Sequence, residues 1–451
     1  MVHAWFESIT GGRVCRHVDR GDSAESRGLA DAVPLDDGLT VGARALRALL
    51  LPQVWIHRRV ESLAFQPTGE TRRRISWDLT PPQEWAIAIT GERVALPLTT
   101  LHKRPIKRLD VTGPADESLV VWETERNGNL AAELMLAGLS TLGGAPASAR
   151  VRELVRTIVF AESAEHVQAE LDELLASDAF NHDADPNAAD EAEAVAALAK
   201  SLAEGFLLVV EIPRAWVGER TVVKVSYDDD RVSTSSERID PWVGRTTLIV
   251  DARGSAGAAS WHLELHAPAN LTISRLRAAI WDSASEQVVR ESEAAPSDST
   301  SHINGRFEHL WWQAQAQVRF APTTAGLLNQ VTLGVLLGIA LLVGASFAAA
   351  PLSDRLSQDG GSGTLAGLVF SFPALFMALL ARSSEHQLVS RVLMAPRLAS
   401  FCSAVSLWCA GVLVAWNPNE DVLSTGLGAL ATVQAAILFW LGLMRPVGGE
   451  S

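Results

Sequence analysis

The chain has 451 residues, a formal net charge of −14 and a mean hydropathy of +0.14, although 20% of its residues are charged. The length allows two or three domains, and the acidity weighs against a nucleic-acid partner, whose phosphates need clustered Lys and Arg. Three cysteines, Cys15, Cys402 and Cys409, are too few for a disulfide framework.

The N-terminal stretch MVHAWFESITGGRVCRHVDRGD has no apolar run of the signal-peptide kind. The large N-terminal part is therefore expected to stay inside the cell. Residues 1–125 read as a β-rich domain or half-domain, with strand patterns at RVCRHV, QVWIHRRV, RRRISWDLT, EWAIAI and SLVVWET. One helical stretch, VGARALRALLL (41–51), interrupts them. Cys15 and His17 share a strand face, but twice the strand rise separates them by about 7 Å. With no third orienting group nearby, an ordinary strand face is expected there rather than a nucleophile pair.

Basic residues cluster in this part: His57, Arg58 and Arg59; Arg72, Arg73 and Arg74; Lys103, Arg104, Lys107 and Arg108. Three readings stand. They face an anionic inner leaflet, where each cation near the surface gains about 1 kcal/mol; they meet an acidic block elsewhere in the chain or in a neighbouring copy; or they are solvated positions.

Residues 126–205 form a helical, acidic insertion. NLAAELMLAGLSTL (129–142), 147–176 and 187–206 are rich in Ala, Leu and Glu at helical spacing. Residues 161–204 hold twelve Asp and Glu against one Lys. DADPN (183–187) faintly resembles a calcium loop, but Ala188 stands where the turn glycine belongs, Ala194 where the last ligand belongs, and Pro186 intrudes.

Residues 206–322 read as an antiparallel β-sandwich-like domain. Short strand patterns recur at FLLVVEI, TVVKVSY, TTLIVD, SWHLELHAP and LTISRLRAAIWD. In WHLELH the side chains of His262, Glu264 and His266 point to one face of a strand, with donor types that suit Zn²⁺. A solvated strand face is the competing reading, because Trp261, Leu263 and Leu265 make the core-facing set. The last strand alternates from 308 to 320, with Leu310, Trp312, Ala314, Ala316, Val318 and Phe320 on one face. The two β parts are either halves of one sheet system or separate domains.

Only about ten residues join that strand to a run of membrane type. A span needs about 20 apolar residues to cross about 30 Å of hydrocarbon. Residues 325–445 supply four predicted transmembrane helices, at about 327–350, 364–381, 398–416 and 422–444, none with a charged side chain. That absence weighs against an ion pathway. Arg382, Arg391 and Arg397 in the second loop and Arg445 in the tail place those segments, with the N-terminal part, on the cytoplasmic side. Gly334 and Gly338 form a GxxxG pair for close helix packing, within the bundle or between protomers. Pro373 is expected to kink the second span to fit its neighbours, Trp416 and Trp440 suit the membrane interface, and Cys402 and Cys409 read as small packing residues. Residues 383–397 are either a short interfacial helix, with Leu388, Val392 and Leu393 on one face, or a connecting turn.

SWDLTPP (76–82), VVKVSY (222–227) and SWHLELHAPANL (260–271) resemble a family of uncharacterised actinobacterial integral membrane proteins. The resemblance implies a long, β-rich N-terminal region with C-terminal membrane helices, and it carries no catalytic residue. No P-loop, GxSxG, HExxH or kinase signature is present. The expected fold is thus an α+β cytoplasmic region, made of antiparallel sandwich-like parts with a helical insertion, joined to a four-helix transmembrane bundle. The expected function is a non-enzymatic sensor, adaptor or scaffold at the inner membrane, multi-pass, with both termini cytoplasmic. Its partners would be the bilayer and a protein, a small ligand or a second copy; no cofactor is expected. The alternatives are a cytoplasmically gated, membrane-permeabilising effector or channel, and a membrane-bound metal enzyme using His262, Glu264 and His266.

Overall fold

The computed structural model describes residues 40–66, 70–89, 91–103, 106–143, 146–180, 186–229, 233–235, 240–251, 257–282, 287–295, 297, 299–307, 312–323, 325–351, 362–380, 387–416 and 419–445. Cys15, His17, Arg104 and most of the DADPN loop lie outside them.

Helix α1 (Val41–Leu50) starts where Thr40 caps the amide of Ala43, and α2 (Pro52–Trp55) is one turn with proline at its head. The expected strand over 53–60 therefore begins only at Ile56. Strands β1 (Ile56–Phe65), β2 (Thr71–Leu79), β3 (Ile87–Ala88), β4 (Arg93–His102), β5 (Lys107–Thr112) and β6 (Val120–Val121) follow. Next come α3 (Thr124–Gly143), α4 (Ala149–Phe160), α5 (Gln168–Leu175) and α6 (Pro186–Glu204). The helix expected over 147–176 is thus two helices, broken where Ala161 and Ser163 take extended conformations.

The remaining strands are β7 (Gly205–Pro213), β8 (Thr221–Asp229), β9 (Ser233–Ser235), β10 (Thr246–Asp251), β11 (Ser260–His266), β12 (Leu271–Asp282), β13 (Gln287–Ala294), β14 (Thr300–Arg306) and β15 (Trp312–Pro322). They build three sheets: β14-β11-β1-β2-β8-β5, β13-β12-β15-β10-β9 and β3-β4-β7-β6. The first mixes strands from both ends of the head, and β1 runs parallel to β11. The six-stranded sheet is therefore mixed, which corrects the expected antiparallel pairing there, while the described pairings of the five- and four-stranded sheets are antiparallel as expected. Alternation within a strand reports which face is buried, not the direction of its neighbour, so the parallel pairing left no local trace.

The six-stranded sheet buries one face. Ile75, Trp77, Val223 and Val225 meet Val94, Leu96, Leu208 and Val210 of the four-stranded sheet. Leu63, Leu263 and Leu265 meet Leu248, Ile273, Leu276, Val318 and Phe320 of the five-stranded sheet. The helical block packs on the other side of the four-stranded sheet, through Leu130, Leu134, Met135, Leu154 and Val195 against Ala95, Leu207 and Val209. Strand β7 is thus covered on both faces, which is why its sequence is a continuous apolar run rather than an alternation.

Among the described residues, three helices are long and apolar enough to cross a membrane: α7 (Leu327–Phe347), α10 (Met394–Trp416) and α11 (Glu420–Met444). The fourth expected span is helical as α8 (Ser362–Leu380), but its described apolar stretch is shorter, Val369–Leu379. Between α8 and α10 lies the short α9 (Gln387–Val392). Each long helix buries one stripe and turns equally apolar residues outward: Leu337, Phe347, Trp408 and Phe439 are exposed. A helix apolar on all sides belongs in lipid or in a large core, and these outward faces form no core. The chain is a membrane protein.

Inside the bundle, the GxxxG pair packs within one copy. A methyl on Gly334 would strike the Met377 sulfur on α8, and one on Gly338 would touch Leu407 and Gln434 at 3.5 Å. Gln434 is fully buried; it accepts from the Ser403 hydroxyl at 2.9 Å and donates to the Ser403 carbonyl at 3.1 Å. Gln434→Leu is expected to lower bundle stability by only about 0.6 kcal/mol, the mean for such bonds in membranes. Thermal unfolding in detergent checks this, and a shift several times larger would show that the clamp organises the bundle.

Candidate functional site

Two places stand out: the junction of head and bundle, and a buried charged cluster within the head.

At the junction, the described part of the second interhelical loop turns its apolar face to the head. Helix α9 and the next residue bury Leu388, Val389, Val392 and Leu393 in the core formed by β10, β12 and β15. This corrects the interfacial-helix reading: the apolar face expected on 383–397 exists, but protein covers it. Gly244, at φ 65°, follows the 3-10 turn Asp240–Val243; a side chain there would sit 3.2 Å from Pro322 and 3.4 Å from the Val392 carbonyl. Trp440, near the end of α11, donates its indole N–H to the Trp242 carbonyl at 2.7 Å, so this ring serves the head rather than the headgroups alone. Between β15 and α7, the Thr323 amide donates to the Asn270 carbonyl at 3.0 Å, and Leu327 packs against both the head core and the bundle core. The connection is held at both ends and is not a loose linker.

The charged cluster follows from strand parity. On β2, Ile75, Trp77 and Leu79 face the core, so Arg73 does too; on β1, Leu63 faces in and takes Glu61 and Arg59 with it. Glu61 is fully buried. It accepts from Arg73 Nε, pairs with Arg73 Nη2, and accepts from Arg59 Nη2 at 3.2 Å and from Trp261 Nε1 at 3.4 Å. Burial alone would raise the Glu61 carboxyl, but the Arg73 and Arg59 guanidiniums overcome it and hold the group below the usual carboxylate range. Burial also pulls Arg59 down, while Arg73 is held up by Glu61 against the same desolvation. The Arg59 guanidinium lies 5.8 Å from the Trp77 ring centre.

The other basic residues divide by the same parity. Arg58 reaches Asp78 at 4.0 Å, Arg72 pairs with Asp228 at 3.0 Å, Arg108 with Asp228 at 3.0 Å, and Lys107 with Glu70 at 3.2 Å. Arg74 is exposed. Lys103 reaches the helical block, donating at 2.7 Å to the Ile158 carbonyl in the last turn of α4, and burial lowers it to about 8. These partners are nearby acids of the sheet and a helix end.

His262, Glu264 and His266 do share a strand face, but they do not converge. His262 Nδ1 lies 3.1 Å from His302 Nε2 with the rings stacked, and His266 Nδ1 lies 3.2 Å from Thr300 Oγ1. Among the described residues no three His, Cys, Asp or Glu side chains could hold a metal ion, so the metal-centre reading goes no further. The His262–His302 pair was not legible in sequence, because β14 carries no strong strand pattern. Partial burial, then His302 and Arg58, push His262 below its ordinary value, with Glu264 opposing. His302→Ala is expected to raise the His262 titration midpoint toward about 6.5, as read by NMR; an unmoved midpoint would assign the shift to burial and Arg58.

The fold and these sites define a membrane protein with a mixed-sheet head docked on its own helix bundle. No protein-family model matches the chain, and no curated protein matches it significantly.

Proposed function

We propose that the protein is a non-enzymatic, multi-pass inner-membrane protein whose β-rich head lies in the cytoplasm, binds a protein or small ligand, and reports that state to the helices. The single observation that carries this reading is the burial of Leu388, Val389, Val392 and Leu393, from a loop between helices, in the head core. A passive anchor needs only the covalent connection. A loop built into the head links any rearrangement of β10 or β15 to the spacing of α8 and α10. Four crossings with both ends on the head side fit the placement of α9 and Trp440 beside the head, and Arg391, Arg397 and Arg445 support a cytoplasmic orientation.

A flexible Gly/Ser insert between Pro322 and Leu327 tests the coupling. Folding should survive, while the distance between spin labels on β15 and α7 should broaden. If α9 alone fixes the head, the label distance between β10 and α10 should stay sharp. A broad distribution at both places would make the head a tethered domain and remove the proposal. A channel reading finds less support, because the centre of the bundle is filled by Val331, Val335, Leu407, Leu423 and Leu427.

A further inference from the structure

We propose that the head binds anionic phospholipid at its 3-10 turn Asp240–Val243, with the Trp242 ring at headgroup depth and Arg245 and Arg445 meeting the lipid phosphate. This goes beyond the reading of the head as a ligand-binding domain, because it makes the bilayer itself something the head recognises.

The turn packs against both α10 and α11. The bond from Trp440 Nε1 to the Trp242 carbonyl fixes its level. Trp440 stands four residues before Met444, the last residue of α11, so the turn lies about 6 Å short of the helix end at a rise of 1.5 Å per residue. On the same stretch of α11, Phe439 and Leu443 are exposed and belong to the lipid-facing surface. Trp242 is 52% exposed although its backbone is held on the helices, so its ring extends that surface into the head. Trp440 spends its indole N–H on the Trp242 carbonyl; among the described residues the indole N–H of Trp242 has no partner. An apolar ring with a donor left for a phosphate or ester oxygen suits the boundary between hydrocarbon and water.

The charges favour an anionic lipid. Arg245 follows Trp242 by three residues and Arg445 follows Trp440 by five, so both stand close to the bonded pair in the chain. Arg445 is exposed and Arg245 half-buried, and among the described residues neither side chain makes an ion pair or hydrogen bond. Over 240–246, 387–397 and 439–445 the sequence places Arg245, Arg391, Arg397 and Arg445 against one acid, Asp240. A guanidinium takes two phosphate oxygens side by side. A zwitterionic lipid brings its own cation to the same place and gains less from these arginines.

The test is thermal unfolding of the full chain in neutral detergent, titrated with phosphatidylglycerol, with phosphatidylcholine, and with glycerol 3-phosphate as the soluble headgroup. A saturable rise of the midpoint with phosphatidylglycerol is expected, following the mass-action form for a ligand bound only by the native state. The rise with phosphatidylcholine should be clearly smaller, and glycerol 3-phosphate should give none. Arg245→Gln and Arg445→Gln should each weaken the phosphatidylglycerol response about fivefold, the worth of one cation at a charged membrane surface. Arg290→Gln should leave it unchanged, because Arg290 pairs with Ile280 on β12, about 30 Å along that strand from Leu271 at the junction. In nanodiscs whose lipid carries a nitroxide on the headgroup, the wild type should lose more tryptophan fluorescence than Trp242→Phe. Equal responses to the two lipids, an unchanged response in both arginine variants, or equal quenching with and without Trp242 would overturn the proposal. A full response to glycerol 3-phosphate would overturn it too, and would assign the site to a soluble phosphate. None of these failures touches head-to-bundle coupling, which the junction insert reads without reference to lipid.

Discussion

Replacing Leu388 and Val392 together by Ala is expected to undock α9 from the head. Both side chains are buried in the five-stranded sheet's core, Val392 completely. A buried Leu→Ala change alone costs about 2–5 kcal/mol. Helix α9 has six residues, far below the length at which an isolated helix holds in water, so tertiary contacts are what keep it folded. Hydrogen exchange should show the amides of 387–393 losing protection first, with β10 and β15 following at their α9-facing ends. Protection in β1, β2 and the centre of α10 should persist. If the 387–393 amides stay as protected as in the wild type, the docking is not what organises the loop, and the coupling reading fails with it.

The second large effect concerns Glu61. Glu61→Gln leaves two buried guanidiniums facing a neutral amide, and breaking a buried ion pair in this way costs about 3–5 kcal/mol. Converting all three residues to apolar ones, with Glu61→Leu, Arg59→Met and Arg73→Met, should recover most of that loss, because desolvation of the charges is removed together with their attraction. The pH dependence has a definite sign. The folded-state pKa of Glu61 lies below its ordinary value, so its contribution is complete above the unfolded pKa of about 4.3 and disappears as pH falls through the lowered folded value. The stability gap between wild type and Glu61→Gln should therefore be constant from neutral pH to about pH 5 and narrow below about pH 4. Thermal unfolding across that range measures it. A gap that instead widens on acidification would mean that Glu61 is protonated in the folded protein.

The two sites sit in different relations to the sequence. The inward positions of Arg59, Glu61 and Arg73 were available from parity: Leu63 on one strand, and Ile75, Trp77 and Leu79 on the next, fix which face each charge takes. Reading Arg72, Arg73 and Arg74 as one basic cluster hid this, since neighbours in a strand point opposite ways. What parity does not show is that β1 and β2 are adjacent, or that Trp261, from 200 residues further along the chain, completes the carboxylate's contacts. His302 was equally hidden, because a charged, irregular strand such as β13 or β14 has no apolar alternation of its own.

The sequence by itself determined the division into a β-rich head, a helical block and apolar helices. Each of these is a local property: a period of two, a period near 3.6, or an unbroken apolar run. It also determined the buried face of the strands that alternate, such as β2, β11 and β15, and it supplied the apolar face of α9. Tertiary structure alone decided what that face meets, that the early strands β1 and β2 share one sheet with the late strands β11 and β14, and that β1 pairs in parallel with β11. Those outcomes depend on contacts between residues distant in the chain. The free energy of such a contact is set by the partner as much as by the segment, and no single segment encodes its partner.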